Sequence, residues 1–261
     1  MQTNPLKKQL QSLLTAANIE SPRFEADQIL GFAGQDADLA LHLATRRAKG
    51  EPLQYLLGEW EFYGLPFAVG PGVLIPRPDT EHLVDAALQF LKNRPQAAVA
   101  DLCAGSGCVG LAIQKNAPRC QVTLVEKSTE AYAYLQKNAA ALAPQAQRVQ
   151  ADILAGGFGQ YDLIVSNPPY ICEDLLPHLQ IEVLYEPQMA LNGGKDGLVF
   201  YRGILHHWLP CLQKGGSLMV EIGYDQAAAV TALFTDAGLT QVKTIQDYGK
   251  NDRVIIGTLP L

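Results

Sequence analysis

The spacing of apolar positions along the chain changes twice. Over the first fifty residues it is helical: Leu6, Leu10, Leu13, Leu14 and Ala17 fall on one helix face, and Ser21-Pro22 offers an N-cap followed by proline at the first helical position. From 52 to 78 the texture turns to Pro, Gly and aromatics. There Glu59 to Tyr63 and Pro66 to Val69 predict two short strands around Gly64. From about residue 79 short apolar runs alternate with helical stretches, which predicts parallel strands joined by crossover helices. The runs are Ala98 to Leu102, Val122 to Glu126, Arg148 to Ala151, Asp162 to Ser166 and Ser217 to Ile222. After a helix from Asp225 to about Ala237, two further strands (Thr240 to Ile245, Arg253 to Thr258) are joined only by QDYGKND. That linker is too short for a parallel crossover, so this last pair should be antiparallel. The predicted fold is α/β: a doubly wound, seven-stranded, mostly parallel sheet closed by an antiparallel C-terminal hairpin, with a small helical domain ahead of it. Residues 1–75 form the helical domain with its hairpin linker, and 76–261 form the sheet domain.

Composition narrows the function classes. At 261 residues, with 48% apolar and 18% charged side chains, the chain can bury a large core. It has no apolar run near 18 residues, and its start, MQTNPLKK, lacks an apolar stretch followed by a small-residue cleavage site. A soluble cytoplasmic protein without membrane partners is expected, working as a monomer. The five cysteines are odd in number, show no Cys-x-x-Cys pair and have no His at ligand spacing, so neither disulfides nor a metal site is expected. A net charge of -6 argues against gripping nucleic acid through its phosphates. The one basic cluster, Arg46-Arg47-Ala-Lys49, reads as a solvated helix end, and His206-His207 as a surface or packing pair on a helix.

The first strand of the sheet runs into Asp101-Leu-Cys-Ala-Gly105-Ser-Gly107-Cys-Val-Gly110. Glycines at a strand-to-helix turn let backbone approach a ligand, and the helix start presents free N–H groups. Nineteen residues beyond Gly107, Glu126 ends the second strand where it can accept from both hydroxyls of a ribose. Gly105, Gly107 and Gly110 formally satisfy the dinucleotide pattern, which keeps a nicotinamide-binding oxidoreductase open. Asp101, four residues ahead of the glycines, instead suits a cofactor bearing an amine and a sulfonium, S-adenosylmethionine. Asp152, after the third strand, could accept from an adenine amino group with Ile153 covering the ring, or simply cap a turn.

Asn167-Pro168-Pro169-Tyr170 follows the fourth strand, at the end of an α/β sheet where ligands bind. Each proline biases the residue before it toward extended backbone, and neither proline donates a main-chain hydrogen bond. The Asn167 side-chain oxygen and the Pro168 carbonyl can then converge on one planar NH2 group, with the Tyr170 ring beside it. Holding both N–H bonds turns the nitrogen lone pair toward a methyl donor. Two substrates remain: the exocyclic amino group of a nucleic-acid base, adenine or cytosine, and the side-chain amide of glutamine. An enzyme acting on DNA needs a recognition domain and a basic groove, and the chain has neither.

Together with GEPLQYLLGEWEFYGLPFAVGPGVLIPRPDTE, DLCAGSG, VSNPPYI, YEPQMAL and DYGKNDRV, these features make the chain resemble the release factor glutamine methyltransferases over essentially its whole length. The resemblance implies a class I methyltransferase that transfers the methyl of S-adenosylmethionine to the glutamine amide nitrogen in the Gly-Gly-Gln motif of peptide chain release factors. It assigns cofactor contacts to Cys103, Ala104, Gly105, Ser106, Gly107, Glu126 and Asn167, and the residue reading adds Asp152 and Ile153. It assigns the substrate turn to Asn167, Pro168, Pro169 and Tyr170, with Asn167 and Pro168 carrying the chemistry. Two positions depart from the family pattern. Cys103 stands where many members have Gly, which is tolerated if the position needs no positive φ. Ile153 stands where some members have an aromatic residue. Arg77 and Asp79 should shape the entry, and Glu186-Pro187 either bounds the glutamine pocket or makes a structural turn.

Overall fold

The computed structural model describes residues 5–261; Met1 to Asn4, the first half of the stretch read for a leader, lie outside the described residues. Four helices come first: α1 (Pro5–Ala16), α2 (Pro22–Ala33), α3 (Ala37–Arg47) and α4 (Leu53–Leu57). Leu10, Leu14, Ala26, Ile29, Ala40 and Leu43 form their common core, with Leu6 and Leu13 packed at its edge. Pro22 starts α2 as its fixed φ allows, but the Ser21 side chain makes no capping bond. In the basic cluster Arg46 and Lys49 are exposed as expected, but Arg47 is not. Arg47 is only 3% exposed, because Glu25 of α2 and Glu182, 135 positions further on, both take its guanidinium.

A hairpin of β1 (Glu59–Phe62) and β2 (Leu65–Ala68) follows, paired antiparallel. Its inward Phe62 and Phe67 pack into the core beneath the large sheet. The chain continues through α5 (Glu81–Leu91), β3 (Ala98–Leu102), α6 (Cys108–Asn116), β4 (Gln121–Glu126), α7 (Thr129–Leu142), β5 (Gln147–Gln150) and β6 (Tyr161–Ser166). It ends with α8 (Val199–His207), β7 (Leu212–Glu221), α9 (Ala227–Asp236), β8 (Thr240–Gln246) and β9 (Asp252–Thr258).

The seven-stranded sheet has the order β5-β4-β3-β6-β7-β9-β8. The first five strands of the sheet are parallel, while β9 lies antiparallel to both β7 and β8, the expected hairpin. Successive side chains on a strand face opposite ways, so each strand feeds two cores. Leu163, Val165, Val254 and Ile256 enter the core with α5, α6 and α7, while Ile164, Val220 and Ile255 enter the one with α8 and α9. Strand β7 starts five residues earlier than expected. Gly215 and Gly216 lie within the strand, opposite a register shift on β6. The chain builds outward from β3 to β5 and then returns to β6 on the other side of β3. The switch point therefore lies at the carboxyl ends Leu102 and Ser166, joined there by the Ser166 hydroxyl donating to the Leu102 carbonyl at 2.7 Å.

Candidate active site

A cavity of about 310 Å³ opens at this switch point. Its walls include Cys103, Ala104, Gly105, Ser106, Glu126, Asp152, Ile153, Asn167 and Pro169. Glu126 ends β4 with one oxygen accepting from the Gly105 N–H at 2.8 Å and the other from the Ser128 N–H at 2.7 Å. These bonds fix the carboxylate while leaving it lone pairs; burial raises its pKa and the backbone donors oppose that rise. Gly105 sits at φ +55, and a Cβ there would stand in open space. Gly107 lines no part of this cavity: at φ +84 it lies against Leu111 and Leu135, where a Cβ would collide.

Gly110 has a packing role too. A Cβ there would come within 2.2 Å of Leu124 and 2.8 Å of Asp101 Oδ2. Its N–H donates to that same oxygen at 2.8 Å, so α6 is pressed onto β3 by an acid and a glycine together. Asp101 also borders the cavity, and burial pushes its carboxyl up to about 7. Asp152 makes the turn that one of its sequence readings gave it, at the edge of the cavity. Its Oδ1 accepts from the Leu154 N–H, and Lys127 on its Oδ2 holds it below the usual carboxylate range.

Cys103 overturns the condition attached to it. Its backbone takes φ +57, the left-handed region, so the position does need positive φ and a cysteine occupies it under strain. The chain must leave β3 sharply enough for the Ala104 N–H to reach back to the Val125 carbonyl at 3.0 Å.

A second cavity of about 200 Å³ lies behind Asn167-Pro168-Pro169-Tyr170, bordered by Pro168, Tyr170, Leu179, Val183, Leu191 and Glu221. Asn167, Arg77, Leu74 and Ala190 border both cavities, so Asn167 stands in their common wall. The Asn167 Nδ2 donates to the Thr80 hydroxyl at 3.2 Å, and among the described residues no chain donor reaches the Pro168 carbonyl. Tyr170 faces the second cavity with its hydroxyl on Glu221 Oε1 at 3.3 Å.

The segments around the site are locked to one another. Glu186 is buried with its carboxylate on the Arg77 guanidinium and on the Ile75 N–H, so YEPQMAL is tied to LIPRPDTE, and Pro187 joins the first cavity wall. Asp79 borders neither cavity and instead lies 3.4 Å from Arg253. His206 and His207 meet edge to face on α8 and border neither cavity. Thr80, Glu221, Met189 and Phe200 escaped the sequence reading. Glu221 carried a readable signal, an acid closing the apolar run SLMVE as Glu126 closes VTLVE.

Comparison with known proteins adds an independent line. The family model for the Methyltransferase small domain matches residues 81–195. A release factor glutamine methyltransferase from Geobacter sulfurreducens is 46% identical over 219 residues, spanning 83% of this chain and 76% of the relative. Another, from Moorella thermoacetica, is 39% identical over 264 residues and 93% of each chain. Among solved structures, a methyltransferase from Pyrococcus furiosus shares the fold with a TM-score of 0.56 at 20% identity, covering 77% of this chain and 91% of that one.

Proposed function

The chain belongs to the release factor glutamine methyltransferase family, and from that premise we propose that it methylates the side-chain amide nitrogen of the glutamine in the Gly-Gly-Gln motif of release factors. The observation that carries the reading is the place of Asn167 in the wall between two cavities, beside a Pro168 carbonyl that no donor among the described residues occupies.

The first cavity fits an adenosyl group bearing a positive charge. Glu126 is fixed by two backbone donors where it would receive ribose hydroxyls, and the Ser106 hydroxyl is buried without a partner. Cys103, Ala104 and Gly105 would carry the loop around that group, with Gly107 shaping the turn from behind. Ile153 would cover the adenine from a buried apolar position, Asp152 would border its edge, and Asp101 would face the cationic end. When bound, S-adenosylmethionine supplies an electrophilic methyl carbon on a sulfonium.

The rest is positioning by this chain. Asn167 Oδ1 and the Pro168 carbonyl accept the two N–H bonds of the glutamine amide, turning its lone pair toward the first cavity. Pro169 and Tyr170 stiffen the turn from either side, and Arg77 and Pro187 bound the approach. Both acceptors stabilise the positive charge that develops on the nitrogen, so no strong base is needed before transfer.

Incubating a purified release factor with the enzyme and labelled S-adenosylmethionine, followed by mass spectrometry, tests this directly. A methyl group on the Gly-Gly-Gln glutamine is expected. Asn167→Ala should keep cofactor binding while transfer drops by about 100-fold or more, as when a polar group at a transition state is lost. Label in nucleic acid alone, or full turnover by that variant, would overturn the reading.

A further inference from the structure

We propose that Arg47, in the helical domain, is a positioning residue for methyl transfer: through Glu182 it holds the wall of the second cavity against which the glutamine side chain lies. This deepens the amide-substrate reading above and rests on it.

That wall comes from a segment with little else to place it. Leu179 and Val183 border the second cavity, and both belong to residues 179–186, which lie between β6 and α8 outside the sheet. The N–H groups of Val183 and Leu184 donate to Gln180, that of Tyr185 to Glu182 and that of Glu186 to Val183. Such bonds shape a local turn but do not seat it against the rest of the fold. Apolar burial adds little, since Ile181, Leu184 and Tyr185 are 60%, 50% and 45% exposed.

Placement falls to two carboxylates, one on each side of Val183. Glu186 accepts from the Ile75 N–H at 2.9 Å and pairs with Arg77 ahead of α5. Glu182 accepts from Arg47 Nη2 at 2.6 Å. Among the described residues no other side chain of 179–186 makes a polar bond outside the segment. The geometry at Arg47 separates this tie from the stability of the helices. Glu25 already takes the guanidinium as a fork, Nε at 2.5 Å and Nη2 at 3.0 Å, which pairs the buried charge between α2 and α3. Glu182 takes the remaining hydrogen of Nη2, so what it fixes is its own segment. A second contact lies beside the pair: Gly50, at φ +96, is so close to Ile181 that a Cβ there would come within 2.9 Å of its side chain.

The second cavity therefore has one wall from the sheet domain and one held by the helical domain. Asn167 and Pro168 supply the acceptors on the first, and Val183 and Leu179 stand on the other. With the amide held on one side only, the glutamine side chain can swing its nitrogen out of line with the methyl donor; the second wall limits that swing. Residues 179–186 border no part of the first cavity, so loosening them leaves the cofactor site as it is.

The test uses the full chain, saturating S-adenosylmethionine and a purified release factor, and compares wild type with Glu182→Ala, Glu182→Gln, Arg47→Met and the double variant Arg47→Met/Glu182→Ala. Glu182→Gln keeps an oxygen that accepts from Arg47. Glu182→Ala removes it while leaving Arg47 on Glu25, so the helical domain keeps its buried pair. We expect Glu182→Ala and Arg47→Met to lose at least about tenfold in kcat with cofactor affinity nearly unchanged, and Glu182→Gln to stay within about threefold of wild type. The double variant should lose no more than Arg47→Met, because both substitutions break one tie. A higher KM for the release factor at unchanged kcat would mean that the pair serves docking alone, and would overturn the proposal. Wild-type kcat in Glu182→Ala, or additive losses in the double variant, would overturn it too, and in each case the substrate reading stands. Absence of glutamine methylation by the wild type would refute that reading, and the positioning role with it.

Discussion

Cys103 offers a test in which the sign of a stability difference reports a backbone angle. At φ +57 an L-residue carries about 1–2 kcal/mol of steric cost that glycine escapes. Glycine loses about 0.5–1 kcal/mol more than alanine in conformational entropy on folding, so at an ordinary position alanine is the more stable of the two. At position 103 the first effect exceeds the second, and the order should reverse. Both substitutions remove the same partly buried thiol, which packs beside the core shared with α8 and α9, so that loss cancels in their difference. The expected result is Cys103→Gly more stable than Cys103→Ala by roughly 0.5–1 kcal/mol. Urea unfolding of the two variants without cofactor, followed by tryptophan fluorescence and circular dichroism, reads this as a midpoint shift at equal slope. Alanine equal to or more stable than glycine would refute the assignment of strain to this residue.

Two other outcomes follow from buried charge. Burial raises Asp101 to about 7 in the folded chain against an ordinary value near 4 in the unfolded one, so its contribution to stability is full below about pH 4 and is lost as pH rises through about 7. Asp101→Asn should stabilise the cofactor-free protein at pH 8 by on the order of 2 kcal/mol, do little at pH 5, and weaken S-adenosylmethionine binding; thermal unfolding at both pH values with calorimetric titration checks all three. Arg47→Met strands Glu25 without its partner at a side-chain exposure of 12%, while Glu182, at 42%, is screened by water and adds little. A loss of about 2–3 kcal/mol is expected, with faster amide exchange over residues 180–186 and none over β3 and β4; unchanged exchange in that segment would show that the Arg47–Glu182 pair does not hold it.

What could be read ahead of the coordinates was whatever depended on neighbours in sequence. The sheet strands, the antiparallel tail, Glu126 at a strand end and the proline-stiffened turn are all local patterns, and each sits within a few residues of its expected place. The errors arose where a side chain's role is set by a distant partner. Arg47 looked like a solvated helix end because Glu182 is 135 positions away. Thr80 looked like one residue of a linker because Asn167 is 87 positions on, and Glu221 meets Tyr170 across 51. The left-handed backbone at Cys103 was invisible for a different reason: its residue type argues against that angle, and only the geometry of the turn out of β3 imposes it.

The partition formed by Asn167 has a pharmacological side. A chamber for an adenosyl group alone would recur in any enzyme using the same methyl donor, so a mimic confined to it would discriminate poorly. A ligand that threads past Asn167, with a nucleoside in one chamber and an amide in the other, joins two weak binders through a short tether, and the second contact then forms at high effective concentration. Its selectivity would come from the smaller chamber, whose walls of Leu179, Val183 and Leu191 are drawn from the loop ahead of α8.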